Sequence, residues 1–280
     1  MCPNRFNRDL PRLIPQPQPH PHTQSYSQSQ PYSQSQPYSH SHSQPQNMSV
    51  FRFSHFSIIQ DVSAMKVGTD AMILGALIDT KSKVNCLDIG TGTGVLSLMI
   101  AQRNSEIKIQ AVEIDTESAE EAHINFQTSP WSNRLSLFLS DFRIFTSENN
   151  FDLIISNPPY FENGILNEST RKANSRHEDS LPLIELFQKV ESLLTPNGHF
   201  WLILPYETAS KWKSKAEELN LHCSQEITIY GKPNLPKRTV FSFSKIGVEC
   251  IQSSVVIRNE DNSYTEEYKK LTVDFHGVKL

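Results

Sequence analysis

Short apolar runs, each followed by turn-forming residues, set the rhythm of this chain. Residues 151–155 are apolar except for Asp152 and include the β-branched pair Ile154-Ile155, as in a strand covered on both faces of a parallel sheet, and Pro158 stops the ladder by removing an N–H. Residues 84–94 read as a strand entering a glycine-rich turn, and 107–112, 135–139 and 199–204 read as further buried strands. Helices are read over 71–78, 95–103, 116–126, 180–194 and 207–219. Thr69 or Asp70 serves as N-cap of the first, and Thr195-Pro196-Asn197-Gly198 as the stop of the fourth. Strands over 222–230 and 239–245 make a final hairpin across 231–238, residues 253–257 add an edge strand, and 264–280 is a helix or tail. At the other end, 51–59 alternates apolar and polar residues and reads as a strand or small hairpin.

Composition splits the chain in two. Within residues 1–47, the stretch from Pro15 onward is Pro, Gln, Ser, His and Tyr almost throughout, with Tyr-Ser-Gln-Ser-Gln-Pro at 26–31 repeated at 32–37. With hardly any aliphatic residue after Ile14, this segment cannot offset the entropy of ordering and is expected to be a disordered tail, leaving 48–280 as one catalytic domain. Met48 stands where the globular pattern begins, which suggests that the tail is an upstream extension of the reading frame. The net charge of −4 and pI near 6.2 argue against a protein that coats nucleic acid indiscriminately, though not against local basic patches. Cys2, Cys86, Cys223 and Cys250 lie far apart without a C-x-x-C pair, which favours a reducing compartment and neither a disulfide framework nor a metal site. No apolar run reaches membrane-spanning length and no apolar signal core opens the chain, so a cytoplasmic protein is expected.

The candidate chemistry sits in the turns. In Asn157-Pro158-Pro159-Tyr160 two prolines fix φ twice, so the carbonyl between them has little freedom and Asn157 is pushed into an extended conformation. A conjugated amine, on a base or in a side-chain amide, is a poor nucleophile until its lone pair is freed from the π-system. The Asn157 side-chain oxygen and the Pro158 carbonyl offer two fixed acceptors for its hydrogens, with Tyr160 to stack on the planar group; neither a general base nor a metal is then obligatory. Asp88-Ile89-Gly90-Thr91-Gly92-Thr93-Gly94 is a mononucleotide-type turn, and its acid suits a ligand presenting an amine and a sulfonium where a pyrophosphate would be repelled. Glu113-Ile114-Asp115, about twenty residues on, places an acid for ribose hydroxyls. Asp141 can accept from an adenine amine while the Phe142 N–H donates to the ring. The start of helix 71–78, beside Lys66, suits a carboxylate.

This order of motifs resembles the class I S-adenosylmethionine-dependent methyltransferases that modify amines. Lys66 to Ala76 before the first strand, and Asn157-Pro158-Pro159-Tyr160-Phe161 followed by Arg171 and by Ala173 to His177, are similar to the bacterial tRNA1(Val) N6-adenine methyltransferases, over residues 48 to about 280. The resemblance implies a Rossmann-like α/β fold with a seven-stranded, mostly parallel sheet and an antiparallel C-terminal hairpin strand. It implies S-adenosylmethionine held by Asp88, Gly90, Thr91, Gly92 and Gly94 at its methionine end, by Glu113 and Ile114 at its ribose, and by Asp141 and Phe142 at its adenine. Lys66, Thr69 and Asp70 would form a lid over it, and Asn157 and Pro158, with Pro159 and Tyr160, would hold the target base. The implied partner is tRNA, with no membrane or metal, and the protein is expected to be a monomer. Arg171, Lys172, Arg176 and His177 are assigned to phosphates beside the flipped adenine, and Lys237 and Arg238, in a C-terminal group with Lys211, Lys213, Lys215 and Lys232, to the anticodon arm.

Rival readings stay open on sequence alone. The glutamine of peptide release factors presents the same two amide hydrogens, although residues 48–80 are too few and too strand-like for the helical N-terminal domain such enzymes carry. DNA adenine methylation lacks room for a target-recognition domain. A non-catalytic binding module is disfavoured by the intact set Asp88, Glu113 and Asn157.

Overall fold

The computed structural model describes residues 49–63, 66–158 and 182–276, together with Pro31. Apart from Pro31, the expected tail therefore lies outside the described residues, as do Pro159, Tyr160, Arg171, Lys172, Arg176 and His177. The chain opens with a hairpin of β1 (Val50–Arg52) and β2 (Ser57–Ile59), then α1 (Thr69–Leu77). Strand and helix then alternate through β3 (Asn85–Ile89), α2 (Val95–Arg103), β4 (Lys108–Glu113), α3 (Thr116–Gln127), β5 (Leu135–Leu139) and β6 (Phe151–Ser156). After α4 (Leu183–Leu193) come β7 (Leu194–Pro205), α5 (Tyr206–Glu218), β8 (His222–Lys232), β9 (Leu235–Ser244), β10 (Ile251–Val256) and α6 (Glu266–Thr272).

One eight-stranded sheet runs in the order β10-β8-β9-β7-β6-β3-β4-β5. Seven strands were expected; the eighth is the added edge strand β10, pairing in parallel with β8 from Ile251 opposite Gln225. Only β9 in this sheet runs against the rest, antiparallel to β7 and to β8. Because side chains alternate along a strand, neighbours part to opposite faces: Cys86, Leu153, Ile155, Trp201 and Ile203 join one core, Leu87, Ile154, Phe200, Leu202 and Leu204 the other. Both faces are covered by helices, so the central strands are largely apolar, with polar residues mostly toward their ends.

Three local expectations need correction. Gly68, not Thr69 or Asp70, is the N-cap of α1, and Asp70 turns instead toward Arg238. α4 does stop at Leu193, just before 195–198, but that segment belongs to β7, which starts earlier than the expected 199, as an excursion: Leu194 pairs with Phe151 and His199 next with Leu153. Gly198 is required there by packing, since a Cβ would meet the Leu194 side chain at 2.8 Å and the Phe151 carbonyl at 2.9 Å. The β8–β9 connection is tighter than residues 231–238, because Lys232 pairs with Leu235 and Asn234 takes the left-handed conformation at φ 61°.

Candidate active site

Two strands leave the centre of the sheet side by side. Ile89 of β3 pairs with Ser156 of β6, whose hydroxyl donates to the Ile89 carbonyl at 3.0 Å, so the glycine turn after β3 and Asn157-Pro158 after β6 emerge next to one another. From β3 the chain winds outward through β4 and β5 and returns to β6 on the other side. The crevice at the carboxyl ends of β3 and β6 is thus the topological switch point, where open α/β sheets hold ligands.

The turn itself is built for close approach. Gly90, Gly92 and Gly94 have φ of +66°, +57° and +84°, a region side-chain-bearing residues avoid. A Cβ at Gly90 or Gly92 would meet nothing within 4 Å, so both backbone surfaces face open space, whereas one at Gly94 would strike Phe126 at 2.5 Å. Gly94 is also the N-cap of α2, which directs that helix's free N–H groups toward the crevice.

Asp88 is completely buried beneath the turn. Its Oδ2 accepts from the Thr91 and Ser97 hydroxyls, both at 2.7 Å, while Oδ1 has no hydrogen-bond partner among the described residues. Burial, incompletely offset by the two hydroxyls, raises its pKa to about 6. An orphaned buried carboxylate oxygen is a costly arrangement, and a cationic donor would relieve it.

Glu113, at the end of β4, is also buried, and burial pushes its pKa upward against three backbone hydrogen bonds. Its Oε2 accepts from Gly92 N at 2.8 Å, and its Oε1 from Ile114 N and Asp115 N, both at 2.9 Å. The carboxylate therefore ties the β4 turn to the glycine turn and keeps a lone pair on Oε2 for a hydroxyl. Asp141 behaves differently. Arg143 donates to it from its backbone N at 2.8 Å and from Nε at 2.7 Å, and although burial opposes ionisation, this partner holds the Asp141 carboxyl below its ordinary value. Phe142 is buried against Phe145, with the Lys189 ammonium 5.4 Å from its ring centre.

Of the expected lid residues, Lys66 and Thr69 are exposed, and Asp70 accepts from Arg238 Nε at 2.8 Å. Arg238 pairs with Pro205 across β7 and β9, placing it and exposed Lys237 at the same edge of the sheet as the crevice. In the rest of the C-terminal basic group, Lys213 is paired with Glu226 and Lys215 with Glu218, both at 2.7 Å.

Against this geometry, comparisons with known proteins are decisive. Residues 62–213 match the family described as methyltransferase small domain. The chain is 39% identical to the tRNA1(Val) (adenine(37)-N6)-methyltransferase of Bacteroides fragilis strain YCH46, over 81% of this chain and 97% of that protein. It is 38% identical to the Flavobacterium psychrophilum protein of the same name, over 81% of this chain and 99% of that one. The chain belongs to this methyltransferase family. A crystal structure described as a predicted O-methyltransferase from Agrobacterium tumefaciens aligns with a TM-score of 0.55 at 16% identity, over 74% of this chain and 96% of that one; it shares the fold.

Within the methyltransferase frame, sequence reading missed the residues that tie the N-terminal segment to α3 and, through one of them, to the glycine turn. The buried Glu121 carboxylate accepts from three successive backbone N–H groups, those of Asp61 and Val62 on Oε1 at 2.5 and 2.7 Å and that of Ser63 on Oε2 at 3.0 Å. Asn125, one helical turn on, exchanges bonds with Ile59 and donates to the Thr93 carbonyl at 2.9 Å, inside the glycine turn itself. Glu117, Glu120 and Glu121 all look like charges favouring a helix start. The available signal was spacing: Ser118, Glu121 and Asn125 share the helix face of buried Ala122.

Proposed function

We infer that this chain transfers a methyl group from S-adenosylmethionine to the N6 amine of adenine in tRNA, at adenine 37 of tRNA1(Val). The observation that carries this reading is the pairing of β3 with β6, which sets Asn157-Pro158 beside the glycine turn in a chain of this methyltransferase family. The residues fit the cofactor: the orphaned Asp88 oxygen suits the ammonium of its methionine moiety, and the open surfaces of Gly90 and Gly92 admit a ligand against the backbone. Glu113 Oε2 would accept from the ribose, and Asp141 with Phe142 would flank the adenine. Bound there, S-adenosylmethionine supplies a methyl group on an electrophilic sulfonium.

The chain's own work is to prepare the amine. Asn157 Oδ1 and the Pro158 carbonyl would each accept one N–H of the flipped adenine, favouring the pyramidal nitrogen that can attack, and Tyr160 would stack on the base. Lys237 and Arg238, at the crevice edge, would meet the phosphates of the anticodon arm, with Arg171, Lys172, Arg176 and His177 nearer the target nucleotide. Action on tRNA would place the protein in the cytoplasm, where we propose it works as a monomer; among the described residues no helix is long and apolar enough to cross a membrane.

The test is methyl transfer from labelled S-adenosylmethionine to total unmodified tRNA, with the labelled nucleoside identified by mass. Label in N6-methyladenosine of a valine tRNA is expected. Asn157→Ala should lower kcat by roughly 10²–10³-fold with little change in cofactor Kd, because the lost acceptor acts mainly as the amine pyramidalises. Label found in a release factor and absent from RNA would move the function to glutamine methylation.

A further inference from the structure

Cys223, near the start of β8, and Cys250, just before β10, stand 27 residues apart in the chain, yet their sulfurs are 2.6 Å apart. The spacing in sequence hides this because β8 and β10 meet only through parallel pairing, with Gln225 opposite Ile251. Neighbouring strands hold their backbones at a separation that suits a disulfide. We propose that Cys223 and Cys250 are a disulfide-forming pair that fastens the edge strand β10 to β8.

The surroundings favour this bond over a metal. Glu226 completes a group of three potential ligands with the two cysteines. However, two thiolates on one tetrahedral zinc sit about 3.8 Å apart, the edge set by legs of ~2.3 Å. The Lys213 ammonium also stands on the same cluster, 2.7 Å from Glu226 and 3.9 Å from Cys250 Sγ, where it competes with a cation and favours a thiolate. Cys223 is buried, and its burial pushes the thiol up, whereas Cys250 is only half-buried, so a small oxidant reaches the Cys250 sulfur first. With a low-molecular-weight disulfide as oxidant, the Cys250 thiolate attacks one of its sulfurs and expels a thiolate. Cys223 then gives up its proton and displaces the second thiolate from the mixed disulfide. The protein loses two hydrogens and the oxidant becomes two thiols. Cys86, fully buried in β3, takes no part.

The bond lies at the amino-terminal end of β8, the edge of the sheet opposite the crevice, since β8 runs parallel to β3. It should therefore act on stability and leave turnover alone. The experiment treats the full chain with glutathione disulfide, followed by alkylation, digestion and mass spectrometry, alongside thermal melting. Expected are a linked Cys223–Cys250 peptide, a midpoint higher by roughly 6–10 °C that dithiothreitol reverses, and unchanged methyl transfer. Cys223→Ser should instead retain a glutathione adduct on Cys250. Wild-type protein that stays reduced or carries only glutathione adducts, or a linked peptide without a higher midpoint, overturns the proposal. So does a zinc ion retained by the reduced protein and lost in both Cys223→Ser and Cys250→Ser.

Discussion

Arg238 at the start of β9 donates through Nε to Asp70 in the first turn of α1, 2.8 Å away and 168 residues earlier in the chain. Each side chain is between a quarter and a third exposed, so the pair is worth no more than about 1 kcal/mol to folding. Its consequence lies in recognition: Asp70 neutralises a guanidinium that stands at the crevice edge. Asp70→Asn should raise tRNA affinity at low salt, and Arg238→Ala should lower it and flatten the dependence on log salt by about one unit. Filter binding over a salt series reads both, and an Arg238→Ala slope equal to wild type would remove Arg238 from the RNA surface.

Asp88 should make stability and cofactor binding depend on pH in opposite senses. Its pKa rises from 3.8 unfolded to about 6 folded, so the folded state binds more protons between these values. Stability from this group is present below pH 4 and lost as pH rises through 6, on the order of 3 kcal/mol, and Glu113 shifts in the same direction. A cationic ligand needs the ionised form. Cofactor affinity should therefore fall as pH drops below 6, while Asp88→Asn binds weakly with a flat profile; calorimetry from pH 5 to 8 checks both.

Glu121→Ala should free residues 61–63 from α3. Leaving three N–H groups without their acceptor costs about 1–3 kcal/mol, lowering the melting midpoint by roughly 3–10 °C. Since the segment continues from Ile59, which Asn125 links to the Thr93 carbonyl of the glycine turn, KM for the cofactor should rise more than kcat falls. Equal losses in both would mean that Glu121 supports the fold generally.

Gly94→Ala and Gly90→Ala should fail in different ways. The first combines φ of +84° with a Cβ 2.5 Å from Phe126 and should cost about 2–4 kcal/mol in urea unfolding. Gly90→Ala carries only the backbone strain, about 1–2 kcal/mol, but places a methyl in the open space over the turn, so lost cofactor binding should exceed lost stability.

What the residues alone determined is the framework. Apolar runs of strand length, alternating with helical stretches, specified β3 to β6 within a residue or so and the 199–204 core of β7, because a strand buried on both faces is dominated by apolar side chains. Asp88, the glycines, Glu113 and Asn157 were likewise legible, since each stands at the carboxyl end of such a strand. Tertiary structure decided what partners these groups have. The Arg143 grip on Asp141, the Asp70–Arg238 pair, the Glu121 clamp and the Cys223–Cys250 contact join residues whose polar types look ordinary in sequence. A hydrogen bond or sulfur contact acts over about 3 Å, and only folding brings positions up to 168 residues apart within that reach.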